Sequence, residues 1–410
     1  MSIFRKIKES QTLLINNQSK NLESQDKKVF KFGFGQSPFL PSEIVMEELR
    51  LNVHHKEYSS VQGDSALRQI ISDFHRQMNG LKISKDNIMI APGSKILIYS
   101  ILLSYKEADV FIPAPSWVSY APQAELAGHN IIPLETNFNN RWRVTAESID
   151  NAFAKKRFKE SIMILNYPGN PDGLTYTKQE LEQIAQKARE YNILVISDEI
   201  YGLLTHNQEH YSFINFYPEK TIITTGLSKW FGAGGWRLGI ALLYEGIEDD
   251  FKNALIGIAS ETYSCAATPV QMAAKVAYGN VEVAKEYIIK QCKILEEVGN
   301  YCYNKLTNSE IKLHAPEGGF YLFPDFSNYV AKLKKKGIFT SDELCNSILS
   351  ETGVALLPGT AFGMPENQLV VRLSYVDFED PLQKNDFNLE RDCPKIIEGI
   401  QVLKTWLNAL

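Results

Sequence analysis

From Asn87 onward, short apolar runs alternate with helical patterns. Asn87–Ala91 reads as a strand, Pro92-Gly93 breaks it, and Ser94 is placed to cap a helix reaching about Tyr105. Val110–Pro113, Ile162–Leu165, Ile193–Ser197 and Thr221–Thr225 read as further strands. Thr177 with Glu180 forms a capping-box signature, opening a helix to about Tyr191. Strands and helices alternating at this spacing predict a mostly parallel sheet covered on both faces. A long helical stretch runs from Val281 to Leu306. Beyond it, Phe320–Phe323, Val354–Leu357 and Leu369–Leu373 are short strands between helices, and Pro394 to Leu410 is a closing helix. The first thirty residues are polar and read as an arm or surface helix. Next comes Phe32-Gly33-Phe34-Gly35-Gln36-Ser37-Pro38, where glycines alternate with phenylalanines. Such a run suits a turn, or a close approach of backbone to a ligand. The pattern predicts an α/β protein with a large domain over residues 46–290 and a smaller α+β domain over 291–410. Residues 1–45 form an arm and part of the small domain.

Composition narrows the class. The chain has 410 residues, 44% of them apolar, enough for a large core. The net charge of −5 argues against nucleic acid or an anionic membrane as partner. Five cysteines show neither metal-ligand nor redox spacing, so they read as free thiols of a reducing compartment. The seven histidines have no ligand spacing, and no metal is expected. Residues Met1 to Ser10 are charged and polar, unlike a secretory signal. The longest apolar candidate, Ile96–Tyr105, suits a buried helix and is too short to span a bilayer. A soluble cytoplasmic protein is expected. Lys332, Lys334, Lys335 and Lys336 read as a solvated helix face.

Open α/β sheets bind ligands beyond the carboxyl ends of their strands. The five segments that follow the predicted strands all carry ligand-competent groups. They are Gly93-Ser94-Lys95, then Ala114 to Trp117, Asn166 to Gly173, Asp198-Glu199-Ile200-Tyr201, and Gly226-Leu227-Ser228-Lys229. Gly93 and Ser94 at a helix N-terminus offer backbone N–H groups to an anion. Trp117 can stack on a ring, and Asp198 can pair with a cationic ring nitrogen. Asn170 and Tyr201 can hydrogen-bond a phenolic oxygen. Lys229 can form an imine, and Arg237 lies close enough in sequence to close over a phosphate. An anion, an aromatic ring, a ring cation, a phenolate and an aldehyde together describe pyridoxal phosphate.

These residues also resemble a known family. Asn170-Pro171-Asp172-Gly173, Asp198-Glu199-Ile200-Tyr201, and Ser228-Lys229 followed by Gly235-Trp236-Arg237-Leu238-Gly239 are similar to motifs of the class I/II aminotransferases. So are Pro358-Gly359-Thr360-Ala361-Phe362-Gly363, Val371-Arg372-Leu373-Ser374, and Tyr58 ahead of Gly63. This is the fold-type-I pyridoxal-phosphate family around aspartate aminotransferase. Six motifs in the right order carry the resemblance from about Gly33 to the C-terminus. It implies a homodimer with a shared active site, in which Tyr58 reaches the neighbouring subunit's phosphate. Arg372 would bind the substrate carboxylate, with Gly35, Trp117 and Asn170 also on the substrate side. Lys229 would carry the cofactor as a Schiff base and serve as the base, with Asp198 and Tyr201 as its catalytic companions. Gly93, Ser94, Lys95, Trp117, Asn170, Ser228, Arg237 and Tyr58 would complete the cofactor site.

Three departures stand out. Asp172 replaces a small hydroxyl residue, next to the asparagine that does the binding. Gly226 stands where many members have a phosphate-binding serine, so the phosphate grip is either weaker or shared with Ser228 or Lys95. Ser94 stands where one dicarboxylate-using subgroup has a lysine, so that contact does not support aspartate as donor. The function implied is transfer of an amino group from an L-amino acid to a 2-oxo acid in two half-reactions. A lyase or decarboxylase on the same fold shares these residues. A non-catalytic binding or regulatory relative would have lost Lys229 or Asp198. The substrate side chain stays open, with the segment Tyr263–Thr268 among the candidate pocket residues.

Overall fold

The computed structural model describes Glu9, residues 11–384 and residues 386–410. Its main sheet has seven strands: β1 (Ile88–Ala91), β2 (Asp109–Ala114), β3 (Asn130–Glu135), β4 (Ser161–Asn166), β5 (Leu194–Asp198), β6 (Thr221–Gly226) and β7 (Gly239–Leu242). Their spatial order is β1-β7-β6-β5-β4-β2-β3. The run from β3 through β6 is parallel, and β7 lies antiparallel between β6 and β1. Strands β1, β5, β6 and β7 are buried along their whole length. Helices on both faces explain why β1, β5 and β6 could be read from short, largely apolar runs.

Two strands escape the apolar-run reading. In β3, buried and accessible positions mix and Pro133 interrupts the run, as an edge strand allows. In β7, four short residues follow a glycine-rich turn. The predicted capping box is present, with Thr177 Oγ1 accepting from the Glu180 N–H and Glu180 accepting from the Thr177 N–H. Ser94 is not a cap. Gly93 holds that position at φ 98°, and Ser94 is the first residue of the helix Ser94–Leu103.

A second sheet has three antiparallel strands, β8 (Tyr321–Leu322), β9 (Leu357–Pro358) and β10 (Val371–Ser374), with β10 central. The N-terminal segment joins it. Phe30 pairs with the chain at Gly353 and Ala355, and Phe32 O accepts from the Ser374 N–H at 2.7 Å. The arm carries a helix, Gln11–Glu23, and residues 1–8 and 10 of the expected arm lie outside the described residues. The helix Val281–Thr307 packs against both the closing helix Pro394–Asn408 and helices of the larger sheet. A boundary at residue 290 therefore falls inside one continuous helix. Among the described residues, no helix is long and apolar enough to cross a membrane.

Candidate active site

The carboxyl ends of β4, β5 and β6 are level. Asn166 pairs with Asp198, and Asp198 with Thr224. Beyond them, between the two sheets, lies a cleft of about 460 Å³. Its walls include four basic side chains, Lys95, Lys229, Arg237 and Arg372, and one acidic side chain, Asp198. Such an excess of cations suits ligands bearing phosphate and carboxylate.

Lys229 is held by its surroundings. Leu227 and Trp230 are buried on either side, and the turn folds back through Leu227 N–H to Leu238 O at 3.1 Å. That leaves the Lys229 ammonium in the cleft, donating to Gly35 O at 2.7 Å. It also lies 5.4 Å from the ring centres of Tyr201 and Phe320. Burial pushes its pKa down, and the charges of Arg372 and Arg237 push the same way. Both effects make the amine easier to deprotonate, as an attacking nitrogen requires.

Asp198 sits at the end of β5 and is 3% exposed. It accepts from Tyr120 Oη at 2.6 Å and from Thr224 Oγ1 at 3.1 Å. Burial raises its pKa from 3.8 to about 6, against those hydrogen bonds. A cation facing it would relieve that penalty. Its neighbour Glu199 faces away from the cleft. Burial pushes the Glu199 carboxyl up, but His210 at 2.8 Å and hydrogen bonds from Ser197 and Ser212 outweigh it, and the pKa falls.

At the anion end, Arg237 adopts a left-handed conformation, φ 56°. It donates to Gly234 O at 2.8 Å and Pro92 O at 3.3 Å. A Cβ on Gly93 would lie 2.1 Å from its guanidinium, so only glycine lets Arg237 close over the helix N-terminus. Ser228 and Ser94 line the same end. Gly226 has a different reason from the one a missing serine suggests. A Cβ there would meet Leu238 O at 2.5 Å, because β6 and β7 pair Gly226 against Gly239. That position has no room for a serine.

Trp117 forms part of the cleft wall, edge-on to Tyr120, and the Lys95 ammonium lies 5.3 Å from its ring centre. Opposite, Arg372 is 1% exposed. It donates to Asn170 Oδ1 at 2.9 Å and Gly33 O at 2.7 Å, and its guanidinium lies between the rings of Tyr321 and Phe362. Among the described residues it has no carboxylate partner, and its Nε has no hydrogen-bond partner. Burial pushes its pKa down. Gly35 is pinned to the same wall, where a Cβ would overlap Tyr321 Oη.

Most of the residues picked from the sequence converge on this cleft. Tyr58 does not: it is 89% exposed on the surface of its own chain. Tyr263–Thr268 is also outside the cleft walls. Sequence reading missed Tyr120, the partner of Asp198, and Tyr321, whose hydroxyl is 2.8 Å from that of Tyr201. It also treated Asp172 as incidental, yet Asp172 forms a buried ion pair with Arg143 at 2.5 Å.

The donor set fits pyridoxal phosphate: a glycine cradle under a guanidinium, a buried carboxylate and a desolvated lysine in one cleft. Fold and site together fit the class of pyridoxal-phosphate enzymes. Residues 27–380 match the model of the aminotransferase class I and II family. The chain is 34% identical over 375 residues to aspartate aminotransferase of Bacillus sp. (strain YM-2), spanning 89% of this chain and 92% of that one. It is 31% identical over 380 residues to asparagine–oxo-acid transaminase of Streptococcus mutans, spanning 90% and 92%. Its fold superposes on aspartate aminotransferase of Thermus thermophilus with a TM-score of 0.84 at 24% identity, covering 98% of this chain and all of that one. The chain belongs to the class I and II aminotransferases. It is a pyridoxal-phosphate-dependent enzyme that moves an amino group from an amino acid to a 2-oxo acid.

Proposed function

We propose that the enzyme takes an acidic amino acid, aspartate foremost, as amino donor, and a 2-oxo acid as acceptor. The observation that carries the reading is a pair of cations in the cleft without carboxylate partners among the described residues. Arg372 is buried at one wall and Lys95 stands over Trp117 at another. A guanidinium fork matches an α-carboxylate, and a point charge suits a second carboxylate. Ser94 lacks a charge, but the adjoining Lys95 supplies one. Two curated relatives bear the names aspartate aminotransferase and asparagine–oxo-acid transaminase, in keeping with this reading.

Pyridoxal phosphate, when bound, supplies an aldehyde for the amino group and a ring that takes up electrons released at the α-carbon. Arg237, Ser228 and the N–H groups after Gly93 would hold its phosphate. Asp198 would keep a proton on the ring nitrogen, and Trp117 would lie against the ring. Asn170 and Tyr201 would hydrogen-bond the phenolic oxygen. Arg372 orients the substrate through its α-carboxylate, so the α-hydrogen faces Lys229. Lys229 Nζ, its pKa lowered by burial, is the group placed to remove that proton.

The two sheets are read as two domains with the cleft between them, residues 46–290 and 291–410, and the segment at Phe30 belonging with the second. Exposed Ile44, Leu51, Val53 and Tyr58 support a homodimer in which Tyr58 serves the other subunit's site. A reducing cytoplasm fits the free cysteines. A panel of amino-donor and 2-oxo-acid pairs, read by mass spectrometry, tests the reading. Aspartate should be the best donor, and Lys95→Ala should depress dicarboxylates selectively. Equal loss for alanine and aspartate would contradict it. Ammonia release from a donor with a β leaving group would favour the lyase alternative.

A further inference from the structure

The turn that carries Asn170 is built around an ion pair. Residues 169–174 close on themselves through Gly169 N–H to Leu174 O and Gly173 N–H to Gly169 O, both at 2.9 Å. Inside the turn, Asp172 Oδ1 accepts from the Leu174 N–H at 2.8 Å. A small hydroxyl could do the same. The second oxygen does more: Asp172 Oδ2 accepts from Arg143 at 2.5 Å, with the two side chains 3% and 5% exposed. Gly169 makes room, since a Cβ there would fall 2.3 Å from Asp172 Oδ1.

Arg143 is anchored independently. Its Nε donates to Arg141 O at 3.0 Å, Nη1 to Leu174 O at 3.3 Å, and its guanidinium covers the Tyr176 ring at 4.7 Å. The preceding residues Arg141 and Trp142 are both left-handed, φ 59° and 57°. That bend sends Arg141 to Glu317 while Trp142 packs edge-on against Phe323. Arg143 is thus a fixed post, and Asp172 ties the turn to it. Two residues earlier, Asn170 Oδ1 meets Arg372 at 2.9 Å.

We propose that Arg143 and Asp172 are a positioning pair for the substrate carboxylate, acting through Asn170 on Arg372. The inference rests on the reading of Arg372 as the carboxylate site. Arg372 is held by Asn170 and a single carbonyl, so a shift of Asn170 swings its free edge. Burial opposes the charge on Asp172 and Arg143 offsets part of that penalty, so neither member suits the site alone. The chain's departure from the family's small hydroxyl is then one half of a matched pair, with Arg143 as the other.

The test compares Asp172→Thr, the near-isosteric Asp172→Asn, Arg143→Met and the double variant Asp172→Thr with Arg143→Met. Binding of maleate, an unreactive dicarboxylate, is measured by calorimetry beside KM and kcat for aspartate, all on the holoenzyme. Each single variant should weaken maleate and raise KM by about tenfold, short of the hundredfold a full ångström misplacement brings. kcat should fall by less than about threefold. The double variant should recover stability, because no unpaired charge remains, but not affinity, because the tie that sets Asn170 is still missing. Asp172→Asn with unchanged maleate affinity and KM would overturn the proposal. So would a double variant that binds maleate as tightly as the parent, or losses falling on kcat alone. Arg372→Lys separates the two claims. If it leaves maleate binding intact, the carboxylate reading fails. If it weakens binding while the Asp172 variants do not, only the positioning pair fails.

Discussion

Among the described residues, Asp198 and Arg372 are buried without an ion-pair partner, and both predict measurable costs. The Asp198 pKa is raised, so the native state binds more protons than the unfolded chain between about pH 3.8 and 6. Stability of the cofactor-free protein therefore declines as pH rises through that window, and the loss persists above it, at about 3 kcal/mol by linkage. Asp198→Asn removes the charge. It should stabilise the cofactor-free protein at pH 8, change little near pH 4, and abolish transamination. Thermal unfolding of variant and parent at the two pH values reads this out. A variant less stable than the parent at pH 8 would contradict it. For Arg372, the Lys variant should raise KM for aspartate by about a hundredfold, because a point charge loses the bidentate fork. Unchanged KM would remove the carboxylate role. The groups that define this chemistry were legible because they lie in short motifs within, at the end of, or just beyond strands. Arg143, Tyr120 and Tyr321 were not. They come from separate stretches of chain, and only folding brings them beside Asp172, Asp198 and Tyr201.

At the scale of elements, the glycines decide how strands and helices meet at the cleft. Gly226→Ser would restore a familiar hydroxyl in sequence terms. In space, its Cβ would collide with Leu238 O across the β6–β7 pair. The variant should lose about 1–3 kcal/mol of stability and bind pyridoxal phosphate no more tightly than the parent. Chemical denaturation and cofactor titration check both halves, and tighter binding would refute the steric account. The parallel strands were legible because burial on both faces leaves near-continuous apolar runs, as in Ile162–Leu165. Strand β3 was not, because an edge needs no such run and tolerates Pro133. Ser94 misled for a local reason. Serine is a common cap, yet the left-handed backbone under Arg237 requires glycine one residue earlier.

At the scale of the molecule, the second sheet closes the cleft with a segment remote in sequence. Phe30 and Phe32 pair with the chain at residues 353–355 and 374, bringing Gly33 and Gly35 to Arg372 and Lys229. The early glycine-phenylalanine run reads as a turn or ligand approach within an arm that forms part of the small domain, but no local pattern announces which strands it meets. The exposed apolar residues between Ile44 and Tyr58 set a prediction at the same scale. Leu51→Asp with Val53→Asp should shift the protein to monomer in sedimentation velocity. Cofactor affinity should fall by about tenfold as Tyr58 is withdrawn from the other subunit. A monomeric parent with full cofactor affinity would remove the shared-site proposal.

The central claim is that Lys229 binds the cofactor aldehyde. Borohydride reduction of the loaded enzyme, followed by peptide mass spectrometry, tests it most directly. The account predicts one phosphopyridoxyl group per chain, attached to Lys229, and no label in Lys229→Ala. A label on Lys95 or any other lysine, or an unlabelled parent enzyme, would contradict it.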